Sequence, residues 1–167
     1  MKFQITPATE RDTPVLLELI RALAEYERLL DKVTATEDLL RKTLFGDRPA
    51  AEALLASIDG ETVGYALFYI TYSTFLGKPG LYLEDLFVKP HARGQGIGKG
   101  LLARLAQLAN ERDYGRVEWM VLDWNEPSIR FYESLGAFTV DGWKLYRLTG
   151  EPLFRLAGAA PENRSTR

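Results

Sequence analysis

Apolar residues follow two rhythms along the chain, and the changes between them mark its elements. Val15, Leu16, Leu19, Ile20, Leu23 and Leu30 recur at helical spacing, which predicts a helix over residues 14–30, capped by Asp12 or Thr13 with Pro14 in its first turn. Ahead of it, residues 3–5 read as a short strand ended by Pro7. Thr34-x-x-Glu37 has the form of a capping box and opens a second helix that Gly46 stops. The rhythm then changes. Residues 53–58 and 62–72 are apolar, β-branched or aromatic runs around Asp59-Gly60, the pattern of an antiparallel hairpin. Residues 76–80 read as a loop and 81–88 as the next strand. A glycine-rich loop follows, then a helix over 99–112 with Leu101, Leu105 and Leu108 on one stripe. Gly115 ends that helix, 117–122 reads as a strand, and Asn125 with Pro127 opens a short helix to Leu135. Residues 144–148 read as a last strand and 151–157 as a terminal turn or helix. Strands and helices so interleaved define a mixed α/β chain. No repeat or linker divides it, so one domain over 1–158 is expected, with a disordered polar tail at 159–167.

Composition narrows the chemistry. A length of 167 residues, 46% hydrophobic and 26% charged, is ordinary for a globular protein and excludes wholesale disorder. Lys and Arg total 21 against 23 Asp and Glu, a net charge of −2 that offers no bulk attraction to phosphate backbones or anionic lipid. Neither nucleic acid nor membrane is expected as a partner. With no cysteine and a single histidine, His91, the chain has no thiolate nucleophile, disulfide framework or multi-histidine metal centre, and no metal is expected. Catalysis must use carboxylates, hydroxyls, backbone or a bound cofactor. The first ten residues contain no apolar signal core, and no window approaches the roughly 18 apolar residues of a membrane span, so a cytoplasmic location is expected.

The strand–loop–helix unit around His91-Ala92-Arg93-Gly94-Gln95-Gly96-Ile97-Gly98 carries the strongest signal. Glycines just before a helix let an anion approach the unpaired N–H groups at its N-terminus. The dinucleotide fingerprint requires Gly-x-Gly-x-x-Gly, but the spacing here is Gly-x-Gly-x-Gly and the preceding strand is not an opening one. A Walker loop requires Lys followed by Ser or Thr, whereas Lys99 is followed by Gly100.

Arg93-Gly94-Gln95-Gly96-Ile97-Gly98 resembles the Arg/Gln-x-x-Gly-x-Gly/Ala signature of the GNAT acetyltransferases. Tyr82-Leu83-Glu84-Asp85-Leu86-Phe87-Val88 before the loop and Asp123-Trp124-Asn125-Glu126-Pro127-Ser128-Ile129-Arg130-Phe131-Tyr132 after it are similar to the diamine branch, the spermidine/spermine and thialysine acetyltransferases. The likeness extends upstream through Glu25-Tyr26-Glu27 and Tyr72-Ser73-Thr74-Phe75, so it spans residues 5–143. It implies a mixed sheet with helices on both faces, in which the parallel strands at 81–88 and 117–122 splay to admit the pantetheine arm of acetyl-CoA. The loop residues Arg93, Gly94, Gln95, Gly96, Ile97, Gly98 and Lys99 would then hold the coenzyme's pyrophosphate, mainly through backbone N–H groups. Arg93 and Lys99 read equally as solvated charges.

The resemblance also assigns the chemistry. A primary amine with a pKa of about 10.4 must lose a proton before it attacks. Glu84 is the implied general base and Asp85 the group that attracts the cationic acceptor. A Glu pKa of about 4.3 is low for this work, so a water relay or an upward shift by burial is required. Strand alternation allows at most one of the adjacent pair to share a given face, unless one sits at a bulge. Tyr132 is the implied acid for the departing thiolate, with core packing as its alternative role. Asn125 corresponds to the asparagine that binds the coenzyme arm, and equally reads as a helix cap. The amides of Phe87 or Val88 would meet the charge developing on the acetyl oxygen. Tyr26, Glu27 and Phe75 match positions bordering the amine, with Phe75 in place of a Trp. Ser73 stands where polyamine-specific members carry an acidic residue, which favours a lysine-like acceptor as much as spermidine. His91 is at most a loop residue beside the phosphates. A homodimer is implied. The competing readings are a non-catalytic acyl-CoA-sensing module and a protein lysine or N-terminal acetyltransferase.

Overall fold

The computed structural model describes residues 3–158, so the expectation of a disordered tail at 159–167 lies outside the described residues. Strands β1 (Gln4–Pro7), β2 (Glu52–Ile58), β3 (Glu61–Ser73), β4 (Lys78–Val88) and β5 (Val117–Trp119) lie in that order in one five-stranded sheet. Each neighbouring pair among the first four is antiparallel, and β5 runs parallel to β4. The helices are α1 (Thr13–Tyr26), α2 (Glu37–Phe45), α3 (Ile97–Glu111), α4 (Glu126–Ser134) and α5 (Gly150–Leu156). Two compact units result. Met1–Met120 holds the whole sheet with α1, α2 and α3, and Val121–Arg167 holds α4 and α5.

Strand alternation sorts the side chains of the first unit onto two faces. Leu55, Tyr65 and Phe87 pair across β2, β3 and β4 and pack with Leu16 and Leu19 of α1 and Leu44 of α2. Residues one step along point the other way, toward α3. Ile5 pairs with Ala56 on that face, and a Cβ added to Gly100 of α3 would lie 2.7 Å from the Phe3 ring and 3.2 Å from Ile5. Glycine at 100 is therefore what lets α3 settle onto the sheet. Asp59 and Gly60 both take positive φ, 48° and 87°, as a tight turn between β2 and β3 requires.

Several boundaries differ from the sequence pattern, each for a local reason. The first helix ends at Tyr26 rather than at residue 30, because Arg28 takes a left-handed φ of 61° and the Leu29 N–H turns back to the Ala24 carbonyl at 2.7 Å. Leu30 is consequently exposed. Thr36, not Thr34, caps α2, its Oγ1 accepting from the Leu39 N–H at 3.2 Å. Lys78, Pro79 and Gly80 extend β4 instead of forming a loop, paired with Ser73, Tyr72 and Thr71. Strand β5 stops at Trp119, three residues short of the expected end, and lies at the sheet edge. The strand expected at 144–148 does not form; among the described residues it has no ladder partner, and an isolated strand has no independent stability.

The core assignment is tested by Leu16→Ala. Leu16 is 0% exposed, whereas Leu39 on α2 is 52% exposed. In urea denaturation Leu16→Ala is expected to cost about 2–5 kcal/mol and Leu39→Ala about 0.5 kcal/mol or less.

Candidate active site

The centre of β4 is irregular. Phe68 pairs with Leu83 and Leu67 with Asp85, so Glu84 is an extra residue opposite no partner on β3. This bulge cancels one step of alternation. Tyr69 and Leu67 share a face of β3, and their partners Tyr82 and Asp85 share the matching face of β4. Glu84, two residues after Tyr82, falls on it too. The rule that only one of the adjacent carboxylates can use a given face therefore gives way, because the ladder is broken between them.

Around this bulge, side chains distant in sequence converge. Tyr65, fully buried, donates its phenolic hydrogen to Oδ2 of Asp85 at 2.9 Å. Burial drives the Asp85 pKa up to about 6; the Tyr65 hydrogen bond opposes that rise, and the charges of Glu84 and Glu27 add to it. Glu27, directly after α1, is itself raised by burial. Tyr69 and Tyr82 lie against each other with ring centroids 5.1 Å apart and planes tilted by 30°; burial raises both phenols, with the Glu84 charge adding for Tyr69 and Tyr69 then Glu84 adding for Tyr82. Glu27 and Glu84 thus both bear on Asp85 beside a group of tyrosines. The exposed Glu84 side chain is open to water, while the half-buried Asp85 carries the upward shift.

Beyond Leu83 the parallel partner of β4 is gone. Strand β5 pairs only through Leu81, Tyr82 and Leu83, and among the described residues no strand covers that edge over residues 84–88. Phe87 is buried in the core, and the Val88 carbonyl accepts from Arg93 Nε at 2.9 Å. The Arg93 guanidinium lies 4.9 Å from the Tyr26 ring centre and 5.7 Å from that of Phe87. Arg93 therefore ties the loop to the ends of β4 and α1 as well as carrying charge. Gly94 and Gly96 have φ of 75° and 81°, a conformation that L side chains resist. Gly96 caps α3 without a side chain, and the first helical bond runs from the Gly100 N–H to the Gly96 carbonyl at 2.9 Å. The N–H groups of Ile97, Gly98 and Lys99 open the helix with its dipole behind them, and Gln95 and Lys99 are exposed beside them. Such a cradle fits a pyrophosphate. His91 is directed elsewhere, with Nε2 3.5 Å from Glu61, and Lys89 pairs with Glu18 at 3.0 Å and Glu61 at 3.6 Å.

Not every expected residue joins this cluster. Phe75 stands on the β3–β4 hairpin, 93% exposed, about 20 Å of strand from the bulge. Ser73 is buried and accepts from the Leu76 N–H at 3.3 Å, which gives it a role in shaping that turn. In the second unit, Asn125 sits at the start of α4, where its carbonyl accepts from the Ser128 and Ile129 N–H groups, both at 3.0 Å, and its side chain does not supply the cap. Tyr132 follows two helical turns later, its ring 5.4 Å from Phe131. Sequence reading missed Tyr65, Tyr69 and Tyr82, whose part emerges only from the register of β3 against β4. Among the described residues no group of three or more His, Cys, Asp or Glu side chains is placed to hold a metal ion, and no helix is long and apolar enough to cross a membrane.

The parallel strand β5 stops beside a carboxylate bulge on β4, and a glycine loop and helix N-terminus follow, which makes a site for an anionic carrier next to a cation-attracting surface. The chain matches the acetyltransferase (GNAT) family over residues 16–137 and belongs to it. It is 41% identical to the thialysine N-epsilon-acetyltransferase of Bos taurus, covering 92% of this chain and 96% of that one. It is 34% identical to an L-ornithine N5-acetyltransferase of Arabidopsis thaliana, over 90% of this chain and 86% of the relative. An integron cassette protein from the mobile metagenome of V. cholerae superposes with a TM-score of 0.80 at 27% identity, covering 95% and 99% of the two chains. The protein is an N-acetyltransferase that transfers acetyl groups from acetyl-CoA to amine acceptors.

The raised Asp85 pKa has a sign that stability measurements read. Folded Asp85 holds its proton up to about pH 6, against 3.8 for an unperturbed Asp, so its contribution to stability is complete below the lower value and lost as pH rises through the upper one. Asp85→Asn removes that loss. Thermal unfolding from about pH 4 to 7 is expected to show the variant gaining roughly 1–3 kcal/mol on the wild type.

Proposed function

We propose that the acceptor is the primary amine of a small diamine, polyamine or lysine-like amino acid, the thialysine type included. The observation that carries this reading is the gathering of Glu27, Glu84 and Asp85 on one tyrosine-rich face at the β4 bulge. Such a set favours a compact cation and sets it beside the strand edge where an acyl carrier can lie. The relatives named for thialysine and ornithine support an amino-acid acceptor bearing a side-chain amine.

In this reading Asp85 attracts the ammonium group, with Glu27 and Tyr26 bordering it. Glu84, exposed, draws the proton away through water, which answers its low intrinsic basicity without requiring burial. Gly94, Gln95, Gly96, Ile97, Gly98 and Lys99 hold the pyrophosphate at the start of α3, with Arg93 bracing the loop. Of the Phe87 and Val88 amides, one meets the developing charge on the acetyl oxygen; the Lys89 N–H donates to the Val63 carbonyl of β3, so alternation turns the Val88 N–H to the open edge. Asn125 holds the coenzyme arm, and Tyr132 returns a proton to the departing sulfur. Phe75 borders the acceptor chain only if a second copy or a hairpin movement brings it there, in keeping with a homodimer as the working unit. The two compact units act as one acetyltransferase domain, a reading supported by a family match that crosses residue 120. We place the reaction in the cytoplasm, where acetyl-CoA and small amines meet, with no nucleic acid, membrane or metal taking part.

Release of free thiol from acetyl-CoA tests this directly, against putrescine, spermidine, lysine, ornithine, thialysine and a lysine-containing peptide. The cysteine-free chain adds no background. Thiol release with a small amine supports the reading, and release only with the peptide overturns the acceptor class. With the best amine, Glu84→Gln and Tyr132→Phe are each expected to lower kcat by about 10²-fold or more. Unchanged turnover across neutral and alkaline pH would remove those roles. Gly96→Val is expected to weaken coenzyme A binding by calorimetry, because a β-branched residue cannot hold its left-handed φ.

A further inference from the structure

Tyr65 belongs to the core by its ring and to the site by its hydroxyl. The ring packs with Leu16, Leu19, Leu55 and Phe87 and is 0% exposed. A phenylalanine would fill that space, so the hydroxyl is the part that needs a reason. A buried phenol requires a partner, and this one donates to Asp85 Oδ2 at 2.9 Å. The contact depends on register: Tyr65 is opposite Phe87, and Asp85 is the diagonal neighbour two residues back on the same face.

Building on the proposed acceptor role of Asp85, we propose that Tyr65 is a positioning residue: its hydroxyl fixes one oxygen of the Asp85 carboxylate and leaves the other for the acceptor's ammonium group. The bond also opposes the forces that would neutralise Asp85. Those come from every side, with Glu84 adjacent on β4, Glu27 at the end of α1, and burial beneath the sheet face. On the loop after β4, the Arg93 guanidinium is committed to the Tyr26 and Phe87 rings and the Val88 carbonyl. Burial and the Asp85 charge hold the Tyr65 phenol well above its ordinary range, so it remains a donor across neutral and mildly alkaline pH. Removing the donor lets Asp85 keep its proton to higher pH, and a protonated Asp85 no longer attracts a cation.

Tyr65→Phe tests this with two independent readouts. Carbon-13 NMR of the Asp85 carboxyl, which needs no turnover, is expected to place its titration midpoint about one pH unit higher in the variant. In acetylation assays the acidic limb of kcat/KM for the amine should move by the same amount. The acceptor KM should rise roughly tenfold on that limb and return toward the wild-type value near pH 9, with the KM for acetyl-CoA unchanged. An unmoved Asp85 midpoint, or an acceptor KM raised equally at every pH, would overturn the proposal. If Tyr65→Phe does not fold, 3-fluorotyrosine placed at position 65 makes the donor stronger and should lower the Asp85 midpoint; no shift there is equally fatal. Failure of the functional reading looks different: no amine supports thiol release, yet the midpoint still responds to residue 65.

Discussion

The extra residue in β4 is the constraint on which the site depends. A regular strand would send Glu84 and Asp85 to opposite faces, one of them into apolar packing. The bulge instead turns both toward Glu27 and the tyrosines, and it falls one residue beyond the last pairing of β4 with β5. Carboxylates and open strand edge therefore begin together. One local irregularity brings a cation-attracting surface and a place for an extended acyl arm to the same end of the sheet, where residues 84–88 still have backbone groups to offer.

The loop beyond completes this by connection. Strand β4 ends at Val88, and Arg93 reaches back to its carbonyl while lying over Tyr26 and Phe87. The same side chain that marks the family's loop in sequence thus clamps three elements in the fold. With the loop held at its base, Gly94 and Gly96 present the N-terminus of α3 without a capping side chain. A Ser or Asp cap would stabilise the helix but occupy the donors an anion needs. The glycine cap keeps those donors available at some cost in helix stability.

How much of this was legible in the sequence follows from how local each feature is. The hairpin at Asp59-Gly60 and the loop before α3 rest on a few adjacent residues, and both read correctly. The end of α1 did not, because an arginine took the left-handed position that glycine or asparagine normally signals. Long-range facts were less accessible. The adjacent Glu84 and Asp85 announced a bulge as one option, but only the pairing with Phe68 and Leu67 locates it. Tyr65 looked like one aromatic among several in an apolar run, and its link to Asp85 across twenty residues depends on register that composition does not encode. The segment at 144–148 shows the converse: a strand-like pattern forms a strand only where a neighbour supplies the ladder.

The cluster also sets function against stability. Burying Asp85 near two other carboxylates favours its neutral form, yet a neutral acid cannot hold an ammonium ion. A fully exposed carboxylate would avoid the conflict but bind a small cation weakly, because water screens the attraction. Full burial without a donor would leave the group protonated at neutral pH. The arrangement here lies between these limits: Asp85 is half-buried, deep enough to strengthen a charge contact, with one hydrogen bond from a core tyrosine that opposes the rise of its midpoint beyond about 6, so that it is ionised at neutral pH. An arriving ammonium group brings positive charge beside these carboxylates and stabilises their ionised forms. Acceptor binding and carboxylate ionisation are therefore thermodynamically linked, and the acidity of the site belongs to its selectivity for amines.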